Sequence, residues 1–212
     1  MTSDDTPRIA RFKENPIITP ALRGVDGYAN INGPSLIRVP PWVPRPLSRY
    51  YLYFADHHGQ VIYLAYADDL HGPWRLHAPG VLRLEQAAGC RAHVASPDVL
   101  VDEDGRIRMY FHGPVRDAPG QKTFLALSAD GLAFEAGSTP LAGAYLRLWR
   151  WEGAWYGLGR GGVLYRSPDG LAPFETGPVL LPGGGADVKV GPRHVAVDLR
   201  GEELWVYWSQ AG

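Results

Sequence analysis

The sequence predicts an all-β protein assembled from one repeated antiparallel unit, and three observations carry that prediction. Short apolar runs are closed by turn residues along the whole chain. Glycine and proline, at 26 and 19 of 212 residues, exceed their usual shares beside seven tryptophans and 11 tyrosines, the composition of many short strands joined by tight turns. No segment keeps a helical period over about 12 residues.

The repeat is marked by aromatic pairs. Tyr53-Phe54, Tyr110-Phe111, Trp155-Tyr156 and Tyr207-Trp208 follow one another at separations of 57, 45 and 52 residues. A period near 50 residues made of short strands is the sequence sign of a β-propeller.

Residues 1 to 12 are a polar lead. Asn15 to Pro20 is bracketed by prolines and suits an edge strand or a strap. The first unit has strands over 33 to 39, Tyr50 to Ala55 and Gln60 to Ala67, with a short fourth piece around Trp74 to His77. The prolines at 40, 41, 44 and 46 stiffen the first connection, and Asp56-His57-His58-Gly59 reads as a hairpin turn.

The second unit repeats this plan with Val94 to Val101, Arg106 to Phe111 and Lys122 to Ser128. The third has Tyr145 to Trp149, Ala154 to Leu158 and Gly162 to Arg166, and the fourth offers Arg193 to Leu199 and Glu203 to Ser209. Trp74, Phe134 and Phe174 stand in matching places after a turn in three units and are expected to pack the blades. The result is one domain over 1–212 with blades near 31–80, 92–140, 144–180 and 192–212, the last incomplete. About three and a half blades are expected, with exposed blade edges open to self-association.

Composition narrows function. A formal net charge of -1 and no basic stripe give no reason to expect a nucleic-acid partner. No apolar run approaches the roughly 18–20 residues that span a bilayer, and the N-terminus has no secretory pattern, so no membrane association and a cytoplasmic location are expected. The lone Cys90 excludes an internal disulfide and reads as a small core residue. The glycines at 157, 159, 161 and 162 precede no helical pattern and are not a phosphate loop.

In a propeller the first strand of every blade lines the central channel, so its polar groups converge at one mouth. Those groups are Asn32, Ser35, His93, Ser96, Asp98, Tyr145, Arg147, Arg193 and His194. His93 and Asp98 stand five apart, on opposite faces of an ideal strand unless a bulge resets the alternation.

Asn15-Pro16, Asn32-Gly33-Pro34-Ser35 and Ser96-Pro97-Asp98-Val99, together with the strand-and-turn rhythm, resemble the five-bladed propellers of glycoside hydrolase family 43. Tyr50 to Trp74, His93 to Gly113 and Arg193 to Val197 are similar to a bacterial group of glycosidase-like propellers. The resemblance implies a saccharide or other small polyol at the propeller centre and three carboxylates: a base, a tuning aspartate and an acid. Asp98 matches the tuning aspartate. The base position falls on Asn32-Gly33, and the expected acid position, Gly143 to Arg147, holds no glutamate. Two of the three family carboxylates are thus missing, with Asp26 the nearest substitute for the base and Glu152 or Asp56 for the acid.

Asp98, His93 and Asp26 are therefore the catalytic candidates. Asn32, Asp56, His57, His112, Tyr145, Arg147, Arg193 and His194 are the candidates for holding substrate. Asp98 has a plain alternative as a group that satisfies backbone amides, and Arg147 needs a carboxylate partner, for which Asp98 is placed. The imidazoles and carboxylates of this set offer a divalent cation in the channel as a further reading. Trp42 is read either as a sugar-stacking ring or as a cover over a blade.

Overall fold

A computed structural model describes residues 10–23, 30–56, 59–185 and 191–210. Its strands fall into four antiparallel sheets. The first is β1 (Ile31–Arg38), β2 (Tyr50–Asp56), β3 (Val61–Ala67) and β4 (Arg75–Arg83), paired in chain order. The second is β5 (Ala95–Val101), β6 (Ile107–Pro114), β7 (Gln121–Ser128) and the short β8 (Glu135–Ala136), with β9 (Ala142–Gly143) also on β7. The third is β10 (Arg147–Trp151), β11 (Ala154–Leu158), β12 (Val163–Ser167) and β13 (Glu175–Val179). β14 (Pro192–Arg200) and β15 (Glu203–Gln210) make the fourth. The only helical pieces among the described residues are three short 3-10 turns.

The core lies between sheets rather than within any one of them. Side chains from the first two sheets, including the fully buried Tyr51, Tyr53, Ile62, Met109 and Phe124, form one cluster. Tyr110, Leu146, Leu148, Trp155 and Phe174 form another between the second and third sheets. A blade alone has one apolar face too many, and stacking against its neighbour buries it. β6 shows this most fully, being buried along all eight residues.

The strap of residues 15–18 closes the outer side of the first blade. Ile17, Ile18 and Leu22 pack against Phe54, Ala65 and Trp74, leaving an apolar cavity of about 360 Å³ beside Leu52 and Phe54. Trp74, Phe134 and Phe174 are all buried, as packing anchors should be. Cys90 is fully buried, and burial pushes its thiol up to about 11, out of the reactive range.

Neighbouring blades are also joined by a repeated polar clasp. Tyr53 of β2 donates its hydroxyl to the Gly131 carbonyl at 3.0 Å, and Tyr110 of β6 donates to the Gly170 carbonyl at 2.9 Å. Each glycine sits in a Ser-x-Asp-Gly turn in which the serine hydroxyl accepts from the glycine amide, and the aspartate accepts from the next amide at 2.8 Å. Both glycines have positive φ, and a Cβ on either would stand within 2.7 Å of the tyrosine oxygen. The sequence reading recognised these turns as repeats but not as the acceptors that join one blade to the one before it.

Strand ends depart from the sequence reading mainly at outer edges. β4 runs to Arg83 where a short piece near Trp74 to His77 was expected. β13 is exposed at all five positions and contains glycine and proline, so it carries no alternation by which to find it.

Candidate functional site

The inner strands carry the site, and a shared irregularity opens it. Between Asn32 and Ser35, between Ala95 and Asp98, and between Pro192 and His194, the register against the second strand slips by one residue. These are β-bulges, which bend a strand and re-aim its side chains. At the bulge of the first two blades, and just before β10 in the third, the backbone turns left-handed: Gly33 at φ 59°, Ser96 at 45° and Tyr145 at 61°. Such a conformation in a non-glycine residue costs on the order of 1–3 kcal/mol and persists only where surroundings enforce it. Ser96 is so enforced. A Cβ on Gly33 would lie 2.6 Å from Ser96 Cα, and the Ser96 and Pro97 carbonyls accept from Arg147 Nη1 at 3.3 and 3.0 Å.

Just past the bulges of the first two blades, one side chain ties its blade to the next. Ser35 Oγ accepts from the Val99 amide at 2.8 Å, and Asp98 Oδ2 accepts from the Leu148 amide at 2.8 Å. Asp98 therefore holds the place that a serine holds one blade earlier. Its other oxygen lies 3.9 Å from Arg147 Nη1, with both side chains 15% exposed. Burial raises the Asp98 pKa, while Arg147 and the Leu148 amide pull it down. The bulge answers the spacing problem of His93 and Asp98: the extra residue resets the alternation between them.

Above this layer is a small polar cavity of about 80 Å³. Asn32, Ser96 and Ala95 give one wall, His93 and His112 a second, and Tyr145, Arg193, His194 and Gln121 the rest. Two imidazoles flank one phenol ring, and a third stands against one of them. His112 lies 4.2 Å from the Tyr145 ring centre, His194 lies 4.8 Å from it, and His93 stands edge-on to His112 at 6.2 Å. Arg193 lies over the same tyrosine at 5.8 Å, its Nη2 3.5 Å from the phenol oxygen.

The electrostatics of the cavity are one-sided. His112 is 2% exposed, and burial, reinforced by His93, Arg147, His194 and Arg193, pushes its pKa down to about 3. It is neutral at physiological pH, and its Nδ1 is buried without a hydrogen-bond partner. His194 is shifted down by burial and by the two arginines. No carboxylate lines the cavity among the described residues.

Of the expected site residues, Asn32, His93, His112, Tyr145, Arg193 and His194 meet at this cavity. Asp98 and Arg147 lie in the layer beneath, tied to each other and to backbone. Asp56 is buried at the end of β2 opposite Ile31 and does not line the cavity. Asp26 and His57 lie outside the described residues. Glu152 is ruled out as the acid: it sits in the turn between β10 and β11, at the opposite end of β10 from Arg147. Trp42 follows the far end of β1, roughly 20 Å along the strand from Asn32, where it lines a surface depression with Pro40, Pro41 and Val101, so the sugar-stacking reading fails. The described residues hold no group of three side chains placed to bind a metal ion.

Gln121 was missed. It opens β7 opposite Pro114, and only its place at the mouth end of a hairpin could have signalled it. Also missed was a buried ion pair at the far end of the second blade. Arg108 and Asp102, 6% and 5% exposed, are in direct contact, and Arg108 donates to the Asp169 carbonyl at 2.6 Å and lies 4.6 Å over the Trp155 ring.

This arrangement of sheets is a propeller fold, shared with solved glycoside hydrolases. The fold matches a β-xylosidase with a TM-score of 0.61 at 14% identity, covering 83% of this chain and 69% of that one. A glycoside hydrolase family 43 enzyme from Xanthomonas citri, solved with xylose, gives 0.61 at 14% identity over 83% of this chain and 65% of that one. A Bombyx mori family 32 β-fructofuranosidase gives 0.55 at 19% identity over 84% of this chain and 41% of that one. In sequence the chain is similar to an uncharacterised protein of Acanthamoeba polyphaga mimivirus, 33% identical over 96% of this chain and 65% of the viral protein. The chain thus spans somewhat under two thirds of that relative. No family model matches it. No helix is long and apolar enough to cross a membrane among the described residues.

Proposed function

We propose that the chain binds a saccharide or other small polyol in the central cavity and holds it without cleaving it. One observation carries the reading: the described lining consists of neutral and cationic hydrogen-bonding groups around an aromatic ring, while Asp98, the one carboxylate in motif position, is committed to the Leu148 amide and Arg147. Inverting hydrolysis needs two free carboxyl groups about 6.5–9.5 Å apart, with water between them. Imidazole, amide and guanidinium groups suit hydroxyls, and the Tyr145 ring, packed by His112, His194 and Arg193, holds three of them in place. The fold shared with glycoside hydrolases supports a sugar as the ligand, as an argument from likeness. A cytoplasmic location belongs to the same proposal and is checked by cell fractionation.

Calorimetric titration of the chain with mono- and oligosaccharides tests it, beside Tyr145→Asn, since asparagine tolerates the left-handed backbone that Tyr145 adopts. The expected result is a binding heat that the variant loses while its melting transition stays cooperative. Release of a shorter sugar from the tightest ligand overturns the non-hydrolytic part. Absence of heat with every sugar leaves a scaffold as the better reading.

A further inference from the structure

Resting on the reading above, we propose that the saccharide taken at this cavity carries an anionic group, a carboxylate or a phosphate, and that Arg193 receives it. Three observations support this. Arg193 is the one permanently charged side chain on the cavity wall, and among the described residues it has no carboxylate partner; its polar neighbour is the Tyr145 hydroxyl. The other arginines of the chain's interior are answered: Arg108 by Asp102, and Arg147 by Asp98 and two carbonyls. A guanidinium left unanswered inside a polar cleft is a geometry matched to a planar or tetrahedral oxyanion, which it binds through two parallel N–H donors.

The second observation is the absence of any opposing charge along the described wall. The nearest carboxylate is Asp98, in the layer below, and Arg147 offsets it. The third is His112, which is nearly fully buried, lines the cavity and leaves Nδ1 without a partner. A buried imidazole nitrogen without a partner costs stability, and a ligand hydroxyl or acid oxygen offset from the charged group would supply the missing bond. The downward shifts of His112 and His194 come first from burial, and Arg193 and Arg147 add to both. A neutral sugar would leave the Arg193 charge in the cleft, partly desolvated and unpaired.

The test is titration of the full chain with matched ligands: glucose against glucuronate, galactose against galacturonate, glucose 6-phosphate, and inorganic phosphate alone. At least one acidic sugar should bind ten-fold or more tightly than its neutral parent. That preference should fall as salt is raised, should vanish in Arg193→Gln, should persist in part in Arg193→Lys, and should be untouched in Arg200→Gln, whose side chain pairs with Asp198 on the exposed strand. Uronate and sugar phosphate arms distinguish the two sources of charge. Equal binding of neutral and acidic sugars overturns this inference and leaves the saccharide reading standing. Inorganic phosphate binding as tightly as any sugar acid overturns it as well, since the polyol would then contribute nothing. If no sugar binds at all, both readings fall together.

Discussion

The two ends of the second blade treat buried polarity in opposite ways. At the far end Arg108 and Asp102 are enclosed together, backed by the Asp169 carbonyl and the Trp155 ring. At the mouth His112 is equally buried, yet its Nδ1 has no partner, and the neighbouring Arg193 has no described carboxylate. One end uses a paired charge to lock two blades, with Arg108 Nε left unbonded, and the other leaves a neutral imidazole and a guanidinium without a charged partner among the described residues. Left-handed backbone occurs at both ends: Ser96 and Tyr145 line the cavity, Glu152 takes it in the turn after β10, and the clasp turns at 131 and 170 use glycine for it.

The far end is broken most severely by Arg108→Ala. Removing the guanidinium leaves the buried Asp102 carboxylate with Arg150 at 3.5 Å and the Glu103 amide alone, and a loss of about 3 kcal/mol, the low end for a broken buried pair, is expected by urea denaturation. A loss under 1 kcal/mol would show that the pair does not lock the blades. At the mouth, Gly33→Ala combines a strained φ with a Cβ driven against Ser96. It is expected to cost on the order of 2–3 kcal/mol and to weaken saccharide binding, whereas an alanine that left both unchanged would detach the bulge from the site.

His112 separates the ends by pH. Its folded pKa of about 3 lies below the ordinary 6.5, so the unfolded chain takes up the proton first on acidification. Its contribution is complete about a unit above pH 6.5 and is lost as pH falls toward 3, at about 0.7 kcal/mol per unit at 6.5 and about 1.4 below about 5.5. Melts at pH 6.5 and 5 should differ by roughly 2 kcal/mol more in the parent than in His112→Gln, and parallel slopes would contradict a neutral buried imidazole. The smallest effect belongs to Trp42→Ala, at 42% exposure and far from the mouth. Stability should move by about 0.5 kcal/mol or less and sugar binding not at all; lost binding would return Trp42 to the site.

What was legible in the sequence follows from what repeats. In the first three sheets the aromatic pairs mark second strands because those strands are central, and Tyr53, Tyr110 and Trp155 are all buried; Tyr207-Trp208, in the two-stranded fourth sheet, keeps the pattern while exposed. Inner-strand polar residues were legible for the same reason, since an apolar strand interrupted by His93 or Arg193 stands out. Of the bulges, the sequence raises the one between His93 and Asp98, as a reset of the alternation; the others are one-residue slips that leave no compositional trace beyond Pro34 and Pro192. The role of Asp98 as the counterpart of Ser35 was hidden because serine and aspartate share a task here only through what they accept. The Arg108–Asp102 pair was hidden because Asp102, two residues before Asp104 and three before Gly105, reads as ordinary turn chemistry.

The tyrosine clasp also bears on how the chain is made. Tyr53 finds its acceptor 78 residues later and Tyr110 finds its own 60 residues later. At ribosomal speeds of about 5–20 residues per second, the first blade waits roughly 4–16 s after its tyrosine is added before the Gly131 carbonyl even exists. Each blade is completed by its successor, so the nascent protein matures in one direction, always one repeat behind its own synthesis.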